Sequence, residues 1–380
     1  MTRILWHGVA PWEGTGYGQQ AGIWCKYLAA RGHDVAVSAC HGIQGQILTW
    51  EGIPVYPAPV AGRGDALLRT YARAHKAEVV IVLYDVWPMA PDCFPRDVPV
   101  LAWLAADAHR LGRGDAAVLR DTGARPVALS EHTKRTLAEA GWPDAPLIPH
   151  GVDLDVFRPP ESREAVRFAY GLEPGTFAIG INSSNVDRMR KGIPEQMEAF
   201  ERFRVRHPDS RLFLHTVADM SDSGSNHLGE VAEDYGILDA VSWCDQGTHL
   251  AGGYTPADMA SWYAAMDVVS NTSMGEGFGL AAVEAQACGT PVILSDGTTG
   301  PQLVGPGWLV RTQRHWNPVH GARWHLPLVD SVTRAYEKAW QARGSARIRR
   351  GCTAHAANSG IATMSRAAPA GVSSACSGDP

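Results

Sequence analysis

Short apolar runs alternate with amphipathic stretches along most of this chain, and the alternation plays through twice. Ile4-Leu5-Trp6 opens a strand that runs into a glycine loop ending at Gly18. Residues 19–31 set Ile23, Trp24, Tyr27 and Leu28 at helical spacing, Gly32 closes that helix, and a second strand starts at Asp34. Further strands are predicted at 53–56, 79–83, 98–104, 127–130 and 147–148, with helices at 64–76 and 131–140. The β-branched run at 79–83 suits a parallel strand covered on both faces. Residues 156–175, rich in proline and charge, read as a linker. The pattern then restarts, with strands at 177–181, 212–216, 241–243, 268–270 and 291–294. Helices are predicted at 194–206, 227–235, 256–266, 280–288 and 328–342. Residues 344–380 change in kind: more than half are Ala, Ser or Gly and none is aromatic. They read as a low-complexity, disordered tail.

Strands alternating with helices imply parallel, doubly wound sheets. At 380 residues the chain has room for two such domains, 1–155 and 176–343, each with its own core. Hydrophobic content of 45% and charged content of 19% fit a soluble globular protein. A formal charge of −5 argues against nucleic acid as a partner. No apolar run approaches the ~20 residues that span a bilayer, and the N-terminus reads as a first strand, not a signal peptide. The cysteines are scattered and form no CxxC pair, so they read as reduced thiols of a cytoplasmic protein without a zinc framework.

The chemistry gathers in a few stretches. In SMGEGFGLAAVEAQACGTPVILSD, 273–296, three glycines precede a helix. Backbone N–H groups there face outward at the positive end of the helix dipole, where an anion is favoured. Glu276 in the loop and Glu284 in the helix bracket this seat. Together they offer a place for a diphosphate beside two acceptors for sugar hydroxyls. Arg190 and Lys191 follow a strand and can neutralise a leaving diphosphate. Asp107 and His109 lie at the C-terminal edge of a strand, where ligands of open α/β sheets gather. There Asp107 can accept a proton from an incoming hydroxyl, and His109 can contact sugar or acceptor. Gly14, Gly16 and Gly18 form a first glycine loop, but its spacing misses the dinucleotide fingerprint, whose third glycine would fall at Gln19.

These stretches resemble the GT-B retaining glycosyltransferases of the family-4, or group 1, type. EGFGLAAVEA at 276–285 is similar to that family's two-glutamate motif. Residues 130–159 (SEHTKRTLAEAG…LIPHGVDLDVFRP), RKGIPEQMEAF at 190–200 and GTGYG match in order. The resemblance implies two Rossmann-like, doubly wound domains facing a central cleft. It implies that Glu284 holds the ribose of a nucleotide-sugar and Glu276 the sugar hydroxyls. Backbone around Gly277, Phe278, Gly279 and Leu280 would sit on sugar or phosphate, Arg190 and Lys191 on the diphosphate, and Gly16 across the cleft. It implies a UDP- or GDP-linked donor, transfer with retention, and no metal or cofactor. The acceptor stays open among a glycan, a lipid-linked acceptor and a small molecule, and peripheral membrane contact stays open with it. Where such proteins often carry an arginine soon after the strand, this chain offers Arg188 and Arg190. The tail lacks the apolar pattern of the closing helix usual in the family. A GT-B sugar phosphorylase and a non-catalytic nucleotide- or sugar-binding protein remain as alternatives.

Overall fold

A computed structural model describes residues 1–60, 64–219, 225–318 and 320–358. Seven strands form the first sheet: β1 (Arg3–Val9), β2 (Asp34–His41), β3 (Leu48–Trp50), β4 (Ile53–Tyr56), β5 (Val79–Leu83), β6 (Val100–Leu104) and β7 (Arg125–Ala128), in the order β3-β4-β2-β1-β5-β6-β7. Only the β3–β4 pair is antiparallel. The second sheet holds β8 (Phe177–Asn182), β9 (Ser210–His215), β10 (Val241–Trp243), β11 (Val268–Asn271), β12 (Val292–Ser295) and β13 (Trp308–Val310), in the order β10-β9-β8-β11-β12-β13. Its strands are all parallel. In each sheet the chain winds first one way and then the other. The order reverses between β1 and β5, and again between β8 and β11, leaving a crevice at the strands' C-terminal ends.

The helices that cover the first sheet are α1 (Gly16–Ala30), α2 (Leu68–Ala74), α3 (Arg113–Thr122) and α4 (Glu131–Glu139). Next come α5 (Arg163–Ala169), α6 (Ile193–Arg204), α7 (Leu228–Asp234), α8 (Gln246–Leu250), α9 (Pro256–Ala265), α10 (Leu280–Ala287), α11 (Gly300–Leu303) and α12 (Val329–Gln341). Residues 147–148 form no strand; Leu147 makes a single bridge to Ala128.

One apolar cluster joins the two halves, from Trp6, Trp24 and Trp103 through Val152 and Phe157 to Tyr263, Val283 and Cys288. Aromatic rings mark its path. Trp24 meets Trp103 edge-on at 5.2 Å, Trp103 meets His150 at 5.1 Å, and His150 meets Phe278 at 5.2 Å. Such edge-to-face pairs add to the burial of the rings themselves.

Three parts of the chain differ from the expectation drawn from sequence. The linker at 156–175 contains α5, which is fixed to the second domain. Arg163 and Arg167 both reach the Asp267 carboxylate, at 2.9 and 3.0 Å, and they cap backbone carbonyls at the end of α9. Residues 312–327 form an antiparallel hairpin, β14 (Thr312–Asn317) and β15 (Ala322–Pro327). The tail begins with a helix, α13 (Ala346–Asn358), packed on α10 with Cys352 and Ala356 buried. Its two buried side chains, Cys352 and Ala356, are small, so the helix packs without a large apolar stripe. Arg349 adds hydrogen bonds to the carbonyls of Gly289 and Met266. The rest of the expected tail, 359–380, lies outside the described residues. No helix among the described residues is long and apolar enough to cross a membrane.

Candidate active site

The loops after β1, β5, β6, β8 and β11 all empty into one crevice. It holds a cavity of about 460 Å³ lined by Gly14, Gly16, Tyr17, Asp85, Asp107, Arg190, Lys191, Glu276 to Ala281, and Glu284. The strands supply only direction here; the chemistry sits on the turns they project and on the helices α1 and α10 that follow them.

The loop from Ser273 to Gly279 is shaped by contact with the first domain. A side chain on Gly275 would place its Cβ 1.7 Å from the Asp107 carbonyl, and one on Gly277 would lie 2.4 Å from the Ala105 Cβ. Both positions need glycine because the domains touch there. Gly279 is different: it caps α10 with φ 102°, and no side chain bonds to that helix end. The first N–H groups of α10, at Leu280 and Ala281, have no partner within the helix and face the cavity. Phe278 is buried and lines the cavity.

Glu276 is the centre of a charge network. Lys191 Nζ is ion-paired to Oε1, Ser273 donates to the same oxygen at 2.9 Å, and Arg190 lies 4.0 Å from Oε2. Burial opposes its ionisation. Lys191 and Arg190 outweigh that and hold the carboxyl below the usual range. Arg190 also reaches Asp107 at 3.4 Å, across the domain gap. Burial disfavours its charge, yet Asp107, Glu276 and Asp85 lift its pKa further above the ordinary value. Lys191 is shifted down, by burial first and then by Arg190. Arg190 is thus the inward-pointing arginine, whereas Arg188 turns to the Ser225 carbonyl.

Glu284 sits apart and almost fully buried. Tyr263 donates to it at 2.7 Å and itself accepts from Asn182 at 2.6 Å. With no cation beside it, burial pushes its pKa up to about 7.

Two of the residues singled out from sequence fall elsewhere. His109 lines no part of this cavity. It pairs with the hairpin instead: its N–H donates to the Arg323 carbonyl at 3.1 Å, and its Nδ1 accepts from the Arg323 N–H at 2.9 Å. Burial and the nearby Arg110, Arg323 and Arg314 lower its pKa. Gly18 lies in the first turn of α1, pressed against the Glu13 carbonyl, and its N–H donates to the capping Thr15.

The site also gains residues that were not singled out. Tyr17 donates to Asp85 at 2.9 Å, and burial together with Asp107 raises the Asp85 pKa. Asp85 follows β5 as Asp107 follows β6, so the same strand-edge rule points to it. A second cavity of about 730 Å³ adjoins the first and shares Asp85, Asp107 and Arg190 with it. Trp87, Asp115, His320 and Trp324 line its far side. Burial, then Asp85, raises the Asp115 pKa to about 7.

Comparison with known proteins bears on the same region. Residues 181–317 match the family model described as Glycosyl transferases group 1. A D-inositol 3-phosphate glycosyltransferase of Pseudarthrobacter chlorophenolicus is 33% identical over 185 residues, which is 49% of this chain and 40% of the relative. The chain therefore spans less than half the length of that curated relative. Among solved structures, sucrose-phosphate synthase of Thermosynechococcus elongatus is similar with a TM-score of 0.68 at 18% identity, covering 95% of this chain and 94% of the other. Anabaena HepE in complex with UDP-glucose is similar with a TM-score of 0.64 at 17% identity, covering 94% and 95%. Two Rossmann-like domains about one cleft are the GT-B architecture of these solved proteins, as the sequence led us to expect.

Proposed function

We propose that this chain, of the group 1 glycosyltransferase type through residues 181–317 and GT-B in fold, moves a sugar from a UDP- or GDP-linked donor to an acceptor hydroxyl with retention. The observation that carries the reading is the meeting of Arg190 and Lys191 with Glu276 beside the open N-terminus of α10. In this reading the diphosphate displaces Glu276 as the partner of both cations, and the Leu280 and Ala281 N–H groups donate to it. Glu284 accepts from the ribose hydroxyls. Glu276 and Asp107 hold hydroxyls of the sugar, and the acceptor enters through the adjoining cavity past Trp87. The bond from the anomeric carbon to the phosphate oxygen breaks while the acceptor oxygen bonds to that carbon on the same face. The acceptor proton passes to the departing phosphate. Arg190, Lys191 and the helix end stabilise the charge that develops there, so the reading asks for no metal ion at the phosphates.

Support comes from the UDP-glucose complex of the structurally similar HepE and from the family match. The test is release of nucleoside diphosphate from UDP- and GDP-sugars with panels of acceptors, after a thermal-shift screen of nucleotides. Lys191→Ala and Glu276→Ala should each lower turnover at least about a hundredfold with the fold intact. Undiminished turnover in both variants would remove the site assignment. Sugar release that needs phosphate and no nucleotide would replace transfer by phosphorolysis.

A further inference from the structure

We infer that His215, Cys244 and His249 form a binding site for a thiophilic divalent cation of the Zn²⁺ class, with its open position facing the cleft. His215 ends β9, Cys244 follows β10, and His249 lies on α8. The sheet order sets these two strands side by side, outward from β8. One ligand atom from each residue lies within 4.8 Å of the other two. The sequence spacing hides this set, because its members come from three elements and include no CxxC pair.

Two observations set the cluster apart from an ordinary group of polar side chains. His215 is 6% exposed, and among the described residues no hydrogen bond engages a ring nitrogen of His215 or His249. Both imidazoles nevertheless line the cavity of about 460 Å³. The rings are held by packing: His215 meets His249 edge-on at 5.0 Å and Tyr254 at 4.7 Å. Imidazole nitrogens that open onto a cavity and carry no protein hydrogen bond keep their lone pairs free for an ion that enters it.

The surroundings also suit a bound thiolate. Gln246 Nε2 donates towards Cys244 Sγ at 3.5 Å, and the same amide reaches the Thr216 carbonyl at 3.2 Å. Asp245 accepts from the Thr248 N–H at 2.7 Å, which fixes the start of α8 and hence the direction of His249. Outer contacts of this kind orient metal ligands. Bond lengths of about 2.0 Å to nitrogen and 2.3 Å to sulfur give ligand–ligand edges of about 3.3–3.5 Å in a tetrahedral ion. The three atoms need to draw in by about 1 Å, which side-chain rotation supplies. On binding, the Cys244 S–H bond to the Thr216 carbonyl is given up, its proton passes to solvent, and the sulfur bonds to the metal. Three protein ligands leave the fourth position to water or to a ligand in the cleft. The ligands come from β9, the residue after β10 and α8, and include neither Arg190 nor Lys191, so the inference does not depend on the sugar-transfer reading.

The experiment uses the full chain stripped of metal. Zn²⁺ is titrated against a chromogenic chelator, and Co²⁺ is added separately as a spectroscopic probe. Wild type should hold one equivalent of Zn²⁺ that His249→Ala weakens at least about tenfold. Its Co²⁺ form should show tetrahedral bands and a thiolate-to-metal absorption that disappears in Cys244→Ser. Circular dichroism of the metal-free variants separates loss of a ligand from loss of fold. Absence of stoichiometric Zn²⁺ binding by wild type would overturn the inference. So would a thiolate absorption unchanged in Cys244→Ser, because the ion would then be bound elsewhere.

Discussion

Replacing Glu284 with glutamine should stabilise the protein at alkaline pH while weakening its hold on nucleotide. The carboxyl is 5% exposed, accepts one hydrogen bond from Tyr263 at 2.7 Å, and has no cation beside it. Burial raises its pKa from 4.5 to about 7. A folded value above the unfolded one means that the folded state holds the proton more tightly. Its contribution is then complete below pH 4.5 and is lost as pH rises through about 7. At about 1.4 kcal/mol per unit, the loss at pH 8 and above comes to about 3 kcal/mol. Glutamine keeps an acceptor oxygen for Tyr263 and cannot ionise, so the variant escapes that loss. The assay is urea denaturation of both proteins from pH 4.5 to 8.5. The difference between the two curves isolates Glu284 from other titrating groups such as Asp115, whose own raised pKa is common to both. Nucleotide binding should change in the opposite sense. Hydroxyls that donate to a charged acceptor contribute roughly 1.5–3 kcal/mol, so affinity for a nucleoside diphosphate should fall about tenfold or more. Parallel stability curves across the whole pH range would refute the assigned burial penalty. Unchanged nucleotide affinity would refute the ribose contact.

Three further substitutions probe other parts of the argument. Gly275→Ala pushes a methyl group into the Asp107 carbonyl. Turnover should fall about a hundredfold through displacement of the loop, and a variant with normal turnover would show that the domain contact is dispensable. Asp267→Ala leaves the paired Arg163 and Arg167 without their carboxylate and should cost about 3–5 kcal/mol in urea denaturation; a loss below about 1 kcal/mol would make the pairs marginal. Tyr17→Phe removes a hydrogen bond that lowers the Asp85 pKa against burial and Asp107. The Asp85 pKa should rise, moving the acid limb of the kcat/KM profile to higher pH, and an unmoved limb would exclude Asp85 from it.

The legible parts of the chain were those whose signal is local. Apolar runs such as 79–83 and helical spacing such as 19–31 fall close to β5 and α1 because periodicity reports burial directly. The hairpin at 312–327 was not anticipated. Its strands carry Arg314, His315, Trp316, Arg323 and His325, with no clean alternation of apolar and polar positions. The helix α13 was missed for the opposite reason, since Cys352 and Ala356 bury completely while contributing little hydrophobic pattern. In the site, Glu276, Glu284, Arg190 and Lys191 could be read from motif and spacing, and the structure brings them into one cavity. His109 could not be placed correctly, because its position is set by the unforeseen hairpin.

The glycines of the 273–279 loop show why a motif can be recognised before its cause is understood. From sequence they suggested an anion seat, and only Gly279, at the helix cap, fits that account by its conformation. Gly275 and Gly277 are required by the approach of Asp107 and Ala105 from the other domain. The hairpin strengthens the same junction: the His325 N–H donates to the Met274 carbonyl at 2.8 Å, while Arg110 donates to the Gly321 carbonyl at 2.6 Å. The loop that carries Glu276 is therefore also a face of the domain interface. Any ligand that draws Lys191 and Arg190 away from Glu276 changes an ion pair inside the loop and, through Arg190 and Asp107, one across the domain gap. On the proposed reading, donor binding would act directly on a contact between the domains, because the two carboxylate partners of Arg190, Asp107 and Glu276, belong to different domains.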